Sequence, residues 1–289
     1  MPAPIWSELP GARGQTLAVC DWPIAAGETA CGTVLLVHGL GEHIGRYQHV
    51  AEQLNAWGFA VCGYDQHGHG RSAGARGSLL ADDQLPADLA AVIDETRARM
   101  GHGQPLILLG HSMGGLVAAR LVALAWRQVD SLVLSSPALD AGMTPLQQAL
   151  VRLLVRIAPT LRLGNGLDAR HLSHDAAVVA AYQADALVHD RISARLARFF
   201  STAGPDVIAA APHWSVPTLL LYAGDDRLVN PGGSAAFAQA APAAVVTAHR
   251  FASHWHELFN EIDRAEVFGV LHDWLLARHP PGAPDRPAG

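Results

Sequence analysis

The sequence predicts an α/β protein in which a mostly parallel central sheet is flanked by helices and carries an inserted helical cap. Short apolar runs alternate along the chain with longer helical patterns. Most of these runs are nearly continuous in apolar residues, as expected for strands buried on both faces of a parallel sheet. A segment from Asp140 to about Pro212 breaks the alternation, because it has helical patterning and no convincing strand. Together these observations predict an open, doubly wound domain with a cap inserted between two strands.

The individual elements follow from the same pattern. Apolar runs predict strands at Thr33–Val37, Phe59–Tyr64, Leu106–Leu109, Ser131–Leu134, Thr218–Tyr222 and Val245–Phe251. Helical patterns predict helices at His49–Trp57, Leu85–Met100, Gly115–Trp126, Ser234–Ala240 and Ala265–Arg278. The predicted core therefore comprises residues 1–139 and 213–279, and the predicted cap comprises residues 140–212. Residues 280–289 are rich in Pro and Gly and are predicted to form a disordered tail.

Composition excludes several classes of function. The net charge is -6 and no block of like charge occurs, so no nucleic-acid partner is indicated. All 20 basic residues are arginine. The absence of lysine excludes a Walker-type phosphate loop, a Schiff-base lysine and a Ser–Lys catalytic pair. The 3 cysteines lack metal-ligand spacing and are expected to be reduced.

Targeting signals are also missing from the sequence. The first residues show no basic region followed by an apolar run, so no signal peptide is expected. No apolar window reaches about 18 residues without a charge, which argues against a transmembrane helix. The expectation is a cytoplasmic protein that makes at most peripheral contact with a membrane.

The chemistry is most clearly indicated between the third predicted strand and the helix that follows. The stretch Gly110-His111-Ser112-Met113-Gly114 has the Gly-x-Ser-x-Gly form of a nucleophile elbow. A serine on such a sharp turn adopts a positive φ, and residues two positions away must be small because strand and helix nearly collide. Ser112 is therefore the predicted nucleophile.

A serine hydroxyl is a weak nucleophile and needs a base, which in turn needs a group that orients it. In an open α/β sheet such groups lie on loops at the carboxyl ends of strands. Asp225 and Asp226 follow the fifth predicted strand, and His254 and His256 follow the sixth. The order along the chain is therefore Ser, Asp, His, but spacing alone does not choose within either pair.

Negative charge on the substrate oxygen must also be stabilised during acyl transfer, normally by two N–H donors. The first predicted strand runs into the glycine-rich turn His38-Gly39-Leu40-Gly41. Such a turn can aim a backbone N–H at the nucleophile. We assign the two oxyanion donors to the backbone N–H groups of Leu40 and Met113.

With these motifs together, the chain resembles the monoacylglycerol lipase and lysophospholipase family of α/β-hydrolases, sometimes grouped with proline-type serine aminopeptidases. The resemblance extends from about Thr33 to Glu261. The motifs that carry it are residues 38–43 with Arg46-Tyr47, residues 64–72, residues 110–114, and residues 226–229 with residues 256–258. It implies an α/β-hydrolase fold with a helical cap.

The resemblance also implies an activity. In this family the acid directly precedes Arg-Leu and the base lies between an aromatic residue and Glu, which favours Asp226 and His256. Asp225 and His254 remain the second choices. The implied function is hydrolysis of a lipid ester, monoacylglycerol or lysophospholipid, through an acyl-enzyme on Ser112 and without cofactor or metal. The alternatives are a carboxylesterase, thioesterase or peptidase of the same fold, or a non-catalytic binding protein.

Other polar residues of the motifs are expected to brace loops. His111 is expected to pack or hydrogen-bond under the elbow. Arg46 and Tyr47 either brace the oxyanion loop or bind a substrate carboxylate or phosphate. The remaining expected braces are His38, His43, Arg227, Asp65, His67 and His69. For Asp65, His67 and His69, a metal site is the weaker interpretation.

The cap contains an apolar stripe at helical spacing. The stripe comprises Met143, Leu146, Leu150, Leu153, Leu154 and Ile157. One interpretation is a helix packed on the sheet domain. The other is a lid that lines an acyl-chain tunnel and makes transient contact with a membrane surface. An apolar lid can equally mediate dimers, so the sequence leaves the oligomeric state open.

Overall fold

The computed structural model describes residues 3–25 and 27–280. Its strands, in chain order, are β1 (Ile5–Pro10), β2 (Thr16–Trp22), β3 (Thr33–Val37), β4 (Ala60–Tyr64), β5 (Leu106–His111), β6 (Ser131–Ser135), β7 (Arg162–Gly164), β8 (Arg191–Ser193), β9 (Thr218–Ala223) and β10 (Val246–Phe251). Its α-helices are α1 (Gln48–Ala56), α2 (Gln84–Arg99), α3 (Met113–Ala123), α4 (Pro145–Ile157), α5 (Ala176–Ala184), α6 (Ala194–Ala210), α7 (Pro231–Ala240) and α8 (Arg264–Arg278).

A central sheet of 8 strands has the order β1-β2-β4-β3-β5-β6-β9-β10. The strands from β4 to β10 in this order are parallel to one another, and β2 joins them antiparallel. Every residue of β3, β5 and β6 is buried, which fits their mostly apolar sequences. One face of the sheet packs on α2, α3, α6 and α7, and the other packs on α1 and α8. The predicted doubly wound architecture is therefore confirmed.

The sequence analysis missed the two strands at the amino-terminal edge of this sheet. β1 pairs antiparallel with β2, and its residues are exposed or half-buried. Its sequence ends in Pro10, which an edge strand tolerates because one side of the strand has no ladder partner. An exposed edge strand needs no apolar run, so the pattern that revealed the central strands could not reveal this one.

The segment 140–212, predicted as the cap, contains α4, α5 and α6. The expectation that it holds no strand was wrong, because β7 and β8 form a two-stranded antiparallel sheet with Leu163 opposite Ile192. Each strand has 3 residues, and all of β7 is exposed. So short and exposed a strand has no apolar periodicity, and its pairing is fixed only by contact with a distant segment.

The amphipathic helix α4 begins with a capping box in which Thr144 accepts from the Gln147 N–H and the Gln147 side chain bonds back to Thr144. Leu154 and Val155 are half-buried on its inner side. The apolar residues left exposed on its outer side are Leu146, Leu150, Leu153 and Ile157. Packing on the core therefore covers only part of the stripe seen in the sequence.

Two further expectations concern the whole chain. None of the helices in the described ranges is both long enough and apolar enough to span a bilayer. The predicted disordered tail, residues 280–289, lies outside the described residues except for Pro280.

Candidate active site

Ser112 lies on the sharp turn between β5 and α3, as the elbow motif predicts. Its backbone has φ +52°, a region that non-glycine residues rarely adopt. A Cβ at Gly110 would lie 2.5 Å from the carbonyl oxygen of Gly114, and one at Gly114 would collide with the carbonyl of Val37. The two glycines therefore permit the close approach of strand and helix that presents Ser112 at the carboxyl end of the sheet.

A continuous hydrogen-bonded chain joins the hydroxyl of Ser112 to a carboxylate. His256 Nε2 lies 2.8 Å from Ser112 Oγ, and His256 Nδ1 lies 2.7 Å from Asp226 Oδ2. The other oxygen of Asp226 accepts the backbone N–H groups of Leu228 at 2.9 Å and Val229 at 3.0 Å. This arrangement can accept a proton from the hydroxyl and hold the resulting imidazolium beside a carboxylate.

The second-choice residues lie elsewhere. Asp225 is exposed, and its Oδ2 accepts from the indole N–H of Trp255 at 3.2 Å and from Arg227 at 3.1 Å. His254 is buried with its ring centroid 5.1 Å from that of Phe251. The chain turns after β10 instead of continuing as a strand, so the two histidines point to different places. Asp226 and His256 are therefore the pair that the fold brings to Ser112.

Burial and neighbouring charges shift the pKa values of the titratable residues near Ser112. Burial acts to lower the pKa of His256, but the charge and hydrogen bond of Asp226 outweigh it and raise that pKa above 6.5. Burial acts to raise the pKa of Asp226, and its pairing with His256 outweighs that effect and lowers it. Burial, with the nearby His256, lowers the pKa of His111 to about 4. His111 is therefore neutral at pH 7 and, as expected, hydrogen-bonds under the elbow, to the Ser135 carbonyl at 3.1 Å.

The backbone N–H groups assigned as oxyanion donors belong to neighbouring turns. Leu40 follows β3, and Met113 is the first residue of α3, where the helix dipole favours negative charge. Within the described residues neither N–H donates to a protein acceptor. The preceding N–H, that of Gly39, is occupied by Glu42 Oε1 at 2.6 Å. The loop is thus held in a shape that leaves the Leu40 N–H free for a ligand.

A cavity of about 340 Å³ lies over Ser112 and is walled largely by the cap. Its apolar lining includes Leu40 and Leu228 of the core and Leu167, Leu172 and Val188 of the cap. Its polar lining includes Glu42, Tyr182, Asp185 and Asp190. None of the described α4 residues lines this cavity, so the second interpretation of the α4 stripe, a lid that lines the acyl-chain site, does not hold for this cavity. Sequence analysis named none of the cap residues that do line it.

Comparisons with known proteins show the family to which the chain belongs. Residues 28–263 match the family described as serine aminopeptidase, S33. A monoacylglycerol lipase of Mycolicibacterium smegmatis is 34% identical over 255 residues, which cover 85% of this chain and 88% of that protein. The chain belongs to this family of serine hydrolases. Phospholipase YtpA of Bacillus subtilis is 30% identical, with 81% of this chain and 91% of that protein covered.

Solved structures with a similar fold support the same family. A monoacylglycerol lipase of Paleococcus ferrophilus superposes on this hydrolase with a TM-score of 0.82 at 33% identity, covering 91% of this chain and 99% of that chain. A monoglyceride lipase of Saccharomyces cerevisiae, solved with a substrate analogue, gives 0.86 at 23% identity over 96% and 97% of the two chains and supports the fold. The predicted resemblance and the predicted α/β-hydrolase fold are both confirmed.

The sequence did not single out the two buried carboxylates, those of Glu42 and Glu257, that join two loops of this hydrolase. Arg46 donates to both oxygens of Glu257, at 2.7 and 2.8 Å, and also pairs with Glu42. The Arg46 side chain is only 12% exposed, and each glutamate is 4% exposed. Tyr47 donates to Glu42 at 2.7 Å. Arg46 and Tyr47 therefore form a brace, the first of the two roles weighed for them.

This brace is charged. Burial acts to raise the pKa of Glu42, but the Arg46 guanidinium outweighs it and holds that pKa at about 2. Glu257 immediately follows His256, and Glu42 accepts the N–H of Gly39, so Arg46 ties the loop that carries His256 to the loop that carries Leu40. A sequence signal existed, because Glu42 and Arg46 are four residues apart within one motif. The partner Glu257 lies 211 residues away and had no such signal.

Asp65, His69 and His38 form the hydrogen bonds expected of braces, whereas the buried Nδ1 of His67 has no hydrogen-bond partner within the described residues. Asp65 accepts the backbone N–H groups of Ile44 and Arg71, both at 2.7 Å. His69 bonds to the carbonyl of His67 at 3.0 Å, and His38 bonds to the carbonyl of Gly39 at 2.8 Å. The backbone N–H of Gln66 also donates to His38 Nε2 at 2.9 Å, and this contact and that of Asp65 with Ile44 hold residues 64–72 against residues 38–46.

Proposed function

We propose that this hydrolase cleaves carboxylic esters of lipids, with monoacylglycerols as the preferred substrates and a fatty acid and glycerol as products. The observation that carries the proposal is the hydrogen-bonded chain from Ser112 through His256 to Asp226 at the floor of the cap-covered cavity. Apolar side chains in the cavity suit an acyl chain, and polar ones suit a glycerol head group. The relatives named monoacylglycerol lipase support the same substrate class.

In the proposed mechanism, Ser112 Oγ attacks the ester carbonyl while His256 Nε2 takes the hydroxyl proton. Asp226 orients the imidazole and stabilises its charged form. The backbone N–H groups of Leu40 and Met113 bind the oxyanion of the tetrahedral intermediate. When the intermediate collapses, His256 gives its proton to the leaving glycerol oxygen, and the acyl group remains on Ser112.

Deacylation repeats the same proton transfers with water. His256, neutral again, takes a proton from a water molecule that attacks the acyl-enzyme carbonyl. The oxyanion forms on the same two donors, and the proton returns to Ser112 Oγ as the fatty acid leaves. Every step uses groups of this chain.

Charge around the cavity favours a neutral head group over a phosphorylated one. Four carboxylates line it, those of Glu42, Asp185, Asp190 and Glu257, and among the described residues no arginine does. The nearby Arg46 does not line it and is already paired with Glu42 and Glu257. The phosphate of a lysophospholipid would be desolvated near like charge without a cation to pair with, which is unfavourable. Glycerol hydroxyls, in contrast, can donate to carboxylates. We therefore place monoacylglycerol ahead of lysophospholipid.

The test of this substrate class is a matched panel. Fluorophosphonate should label the wild-type protein at Ser112, and kcat/KM should be measured for a monoacylglycerol and a lysophosphatidylglycerol that carry the same acyl chain. We expect labelling and a clear preference for the monoacylglycerol at medium and long chain lengths. Labelling with activity on short esters alone would contradict the lipid substrate, and a preference for the phospholipid would contradict the charge argument.

We also propose that α4 touches a lipid surface. Leu146 is 80% exposed and Ile157 is 69% exposed, and Leu150 and Leu153 lie between them on the same side of the helix. Arg152 and Arg156 are exposed on α4 and form no ion pair with the described residues. An exposed apolar stripe beside unpaired cations matches an interfacial helix on anionic lipid.

Vesicle sedimentation tests this contact. The double variant Leu150→Gln/Leu153→Gln removes about 1 kcal/mol of apolar transfer free energy per leucine. Partitioning onto phosphatidylglycerol vesicles should therefore weaken by more than about tenfold. Ile262→Gln is the matched control, because Ile262 is 65% exposed but lies outside the cap. Equal binding by wild type and the double variant would contradict the proposal, and a concentration-dependent dimer lost in that variant would identify a second copy as the partner.

A further inference from the structure

The cap rests directly on the oxyanion loop. The backbone N–H of His189, in the cap, donates to the carbonyl of Gly41 at 2.8 Å. Gly41 has φ +78°, and a Cβ there would collide with the carbonyl oxygen of His189. Gly41 is therefore required for two reasons. It adopts the positive φ of the turn, and its lack of a side chain allows the backbone of the cap to approach closely.

A side-chain contact lies beside this backbone contact. His43 Nε2, in the core, is 2.8 Å from Asp185 Oδ2, in the cap. His43 Nδ1 accepts the backbone N–H of Gly45 at 3.2 Å, which leaves the Nε2–H to donate to Asp185. Asp185 in turn accepts the N–H of Leu187 through its other oxygen at 2.8 Å. Both partners are thus fixed in orientation by their own backbone neighbours.

The loop is held on one side of Leu40 by contacts with the core and on the other side by contacts with the cap. On its amino-terminal side, the N–H of Gly39 is held by Glu42, which the core brace Arg46 fixes. On its carboxyl-terminal side, Gly41 and His43 are held by the cap. The direction of the Leu40 N–H therefore depends on whether the cap is seated.

We propose that Asp185 is a positioning residue, which acts through His43 to orient the Leu40 N–H when the cap is seated on the oxyanion loop. Asp185 thereby couples closure of the cap over a substrate to completion of the oxyanion site. The inference rests on the proposed function in so far as Leu40 is an oxyanion donor there. Asp185 also lines the cavity, whereas His43 does not, so a variant of His43 separates the positioning role from direct contact of Asp185 with a substrate.

Asp185→Ala tests the coupling with a short p-nitrophenyl ester, which has no glycerol head group for Asp185 to contact. Loss of a whole oxyanion donor costs roughly 10²- to 10³-fold in kcat, so misdirecting one donor should cost about tenfold. We expect kcat to fall by that amount while KM changes little. Asp185→Asn should retain most of the activity, because its amide oxygen can still accept from His43. Asp168→Ala is the matched control, since Asp168 is a cap aspartate whose partner is the exposed Arg170.

A double-mutant cycle decides between the two roles. His43→Ala breaks the same contact from the core side, so it should cause the same loss as Asp185→Ala. The double variant should be no worse than either single variant, since the pair acts as a unit. Effects that multiply would show that Asp185 acts independently of His43 and would overturn the proposal. If Asp185→Ala fails to fold, His43→Ala is compared with Asp185→Asn instead. Asp185→Asn keeps an acceptor for His43, whereas His43→Ala removes the donor. Equal kcat losses in these two variants would show that an acceptor at position 185 alone does not position the loop.

The fluorophosphonate labelling rate separates this inference from the proposed substrate. Labelling needs Ser112 and the oxyanion donors but no lipid. A wild-type protein that is labelled yet does not hydrolyse monoacylglycerol would contradict the substrate and leave the coupling intact. Asp185→Ala that is labelled at the wild-type rate would overturn the coupling alone.

Discussion

Ser112→Ala is expected to lower ester hydrolysis by about 10⁴- to 10⁶-fold while the fold is retained. The hydroxyl is the proposed nucleophile, and the oxyanion donors alone leave only a small residual acceleration. Within the described residues the Ser112 side chain is hydrogen-bonded to His256 alone, and the residue is 8% exposed. Removing it costs little packing, and alanine tolerates the backbone at this turn about as well as serine does. Monoacylglycerol hydrolysis and thermal unfolding of the purified variant measure both parts of the expectation.

Ser136→Ala is the matched control for this substitution. Ser136 follows β6, next to the elbow, and it too has a positive φ, +40°. Its hydroxyl is buried and has no hydrogen-bond partner within the described residues. The control should keep wild-type activity, so that an effect at Ser112 reports on chemistry and not on the loss of a buried hydroxyl near the turn. A folded Ser112→Ala protein that still hydrolyses the ester would exclude Ser112 as the nucleophile.

His256→Ala should be inactive to a similar degree, whereas His254→Ala should be only impaired. Triad members act as a unit, so removal of the base costs about as much as removal of the nucleophile, on the order of 10⁶-fold. His254 contacts Phe251 and lacks any contact with Ser112 within the described residues, so its loss should loosen packing without removing a proton acceptor. Steady-state kinetics of the two variants, with thermal unfolding as a check on folding, make the comparison. The reverse ranking would reassign the base to His254.

The same histidine should set the acid limb of the pH profile. Only neutral His256 can accept a proton, so kcat/KM should fall as pH drops through its pKa in the folded protein. Pairing with Asp226 raises that pKa, so the midpoint should lie above 6.5. Asp226→Asn removes the charge and should move the midpoint to lower pH, while Asp225→Asn should leave it in place. A midpoint that moves with Asp225 instead would reassign the acid.

The sequence alone predicted the central strands and the elbow because both depend on local pattern. Strands β3, β5 and β6 are buried on both faces, and each consists mostly of apolar residues. The elbow needs two small residues at fixed spacing from Ser112, and Gly110 and Gly114 are readable without any knowledge of the fold. Edge strand β1 and cap strand β7 are largely exposed, and β8 has only 3 residues, so no local pattern distinguished these strands from loops.

In the cap, too, local sequence pattern did not reveal which residues line the cavity. Its apolar stripe was visible in the sequence, but spacing on a helix does not tell which neighbours a face meets. The structure directs Leu154 and Val155 inward, exposes Leu150 and Leu153, and builds the cavity wall from a different part of the cap. Residues such as Tyr182, which lines that wall, had no sequence signal because an isolated aromatic in a helix is commonplace.

By itself, the sequence determined the class of fold, the elbow with Ser112, and two short lists of candidates for acid and base. Resemblance to a family favoured Asp226 and His256 within those lists. Only the tertiary structure decided which of the candidates meet Ser112, which carboxylates flank Arg46, and that Asp185 reaches His43 across 142 residues of chain. The physical reason is that a hydrogen bond depends on distance and direction in space. Backbone pattern fixes these quantities within an element, and only packing fixes them between elements.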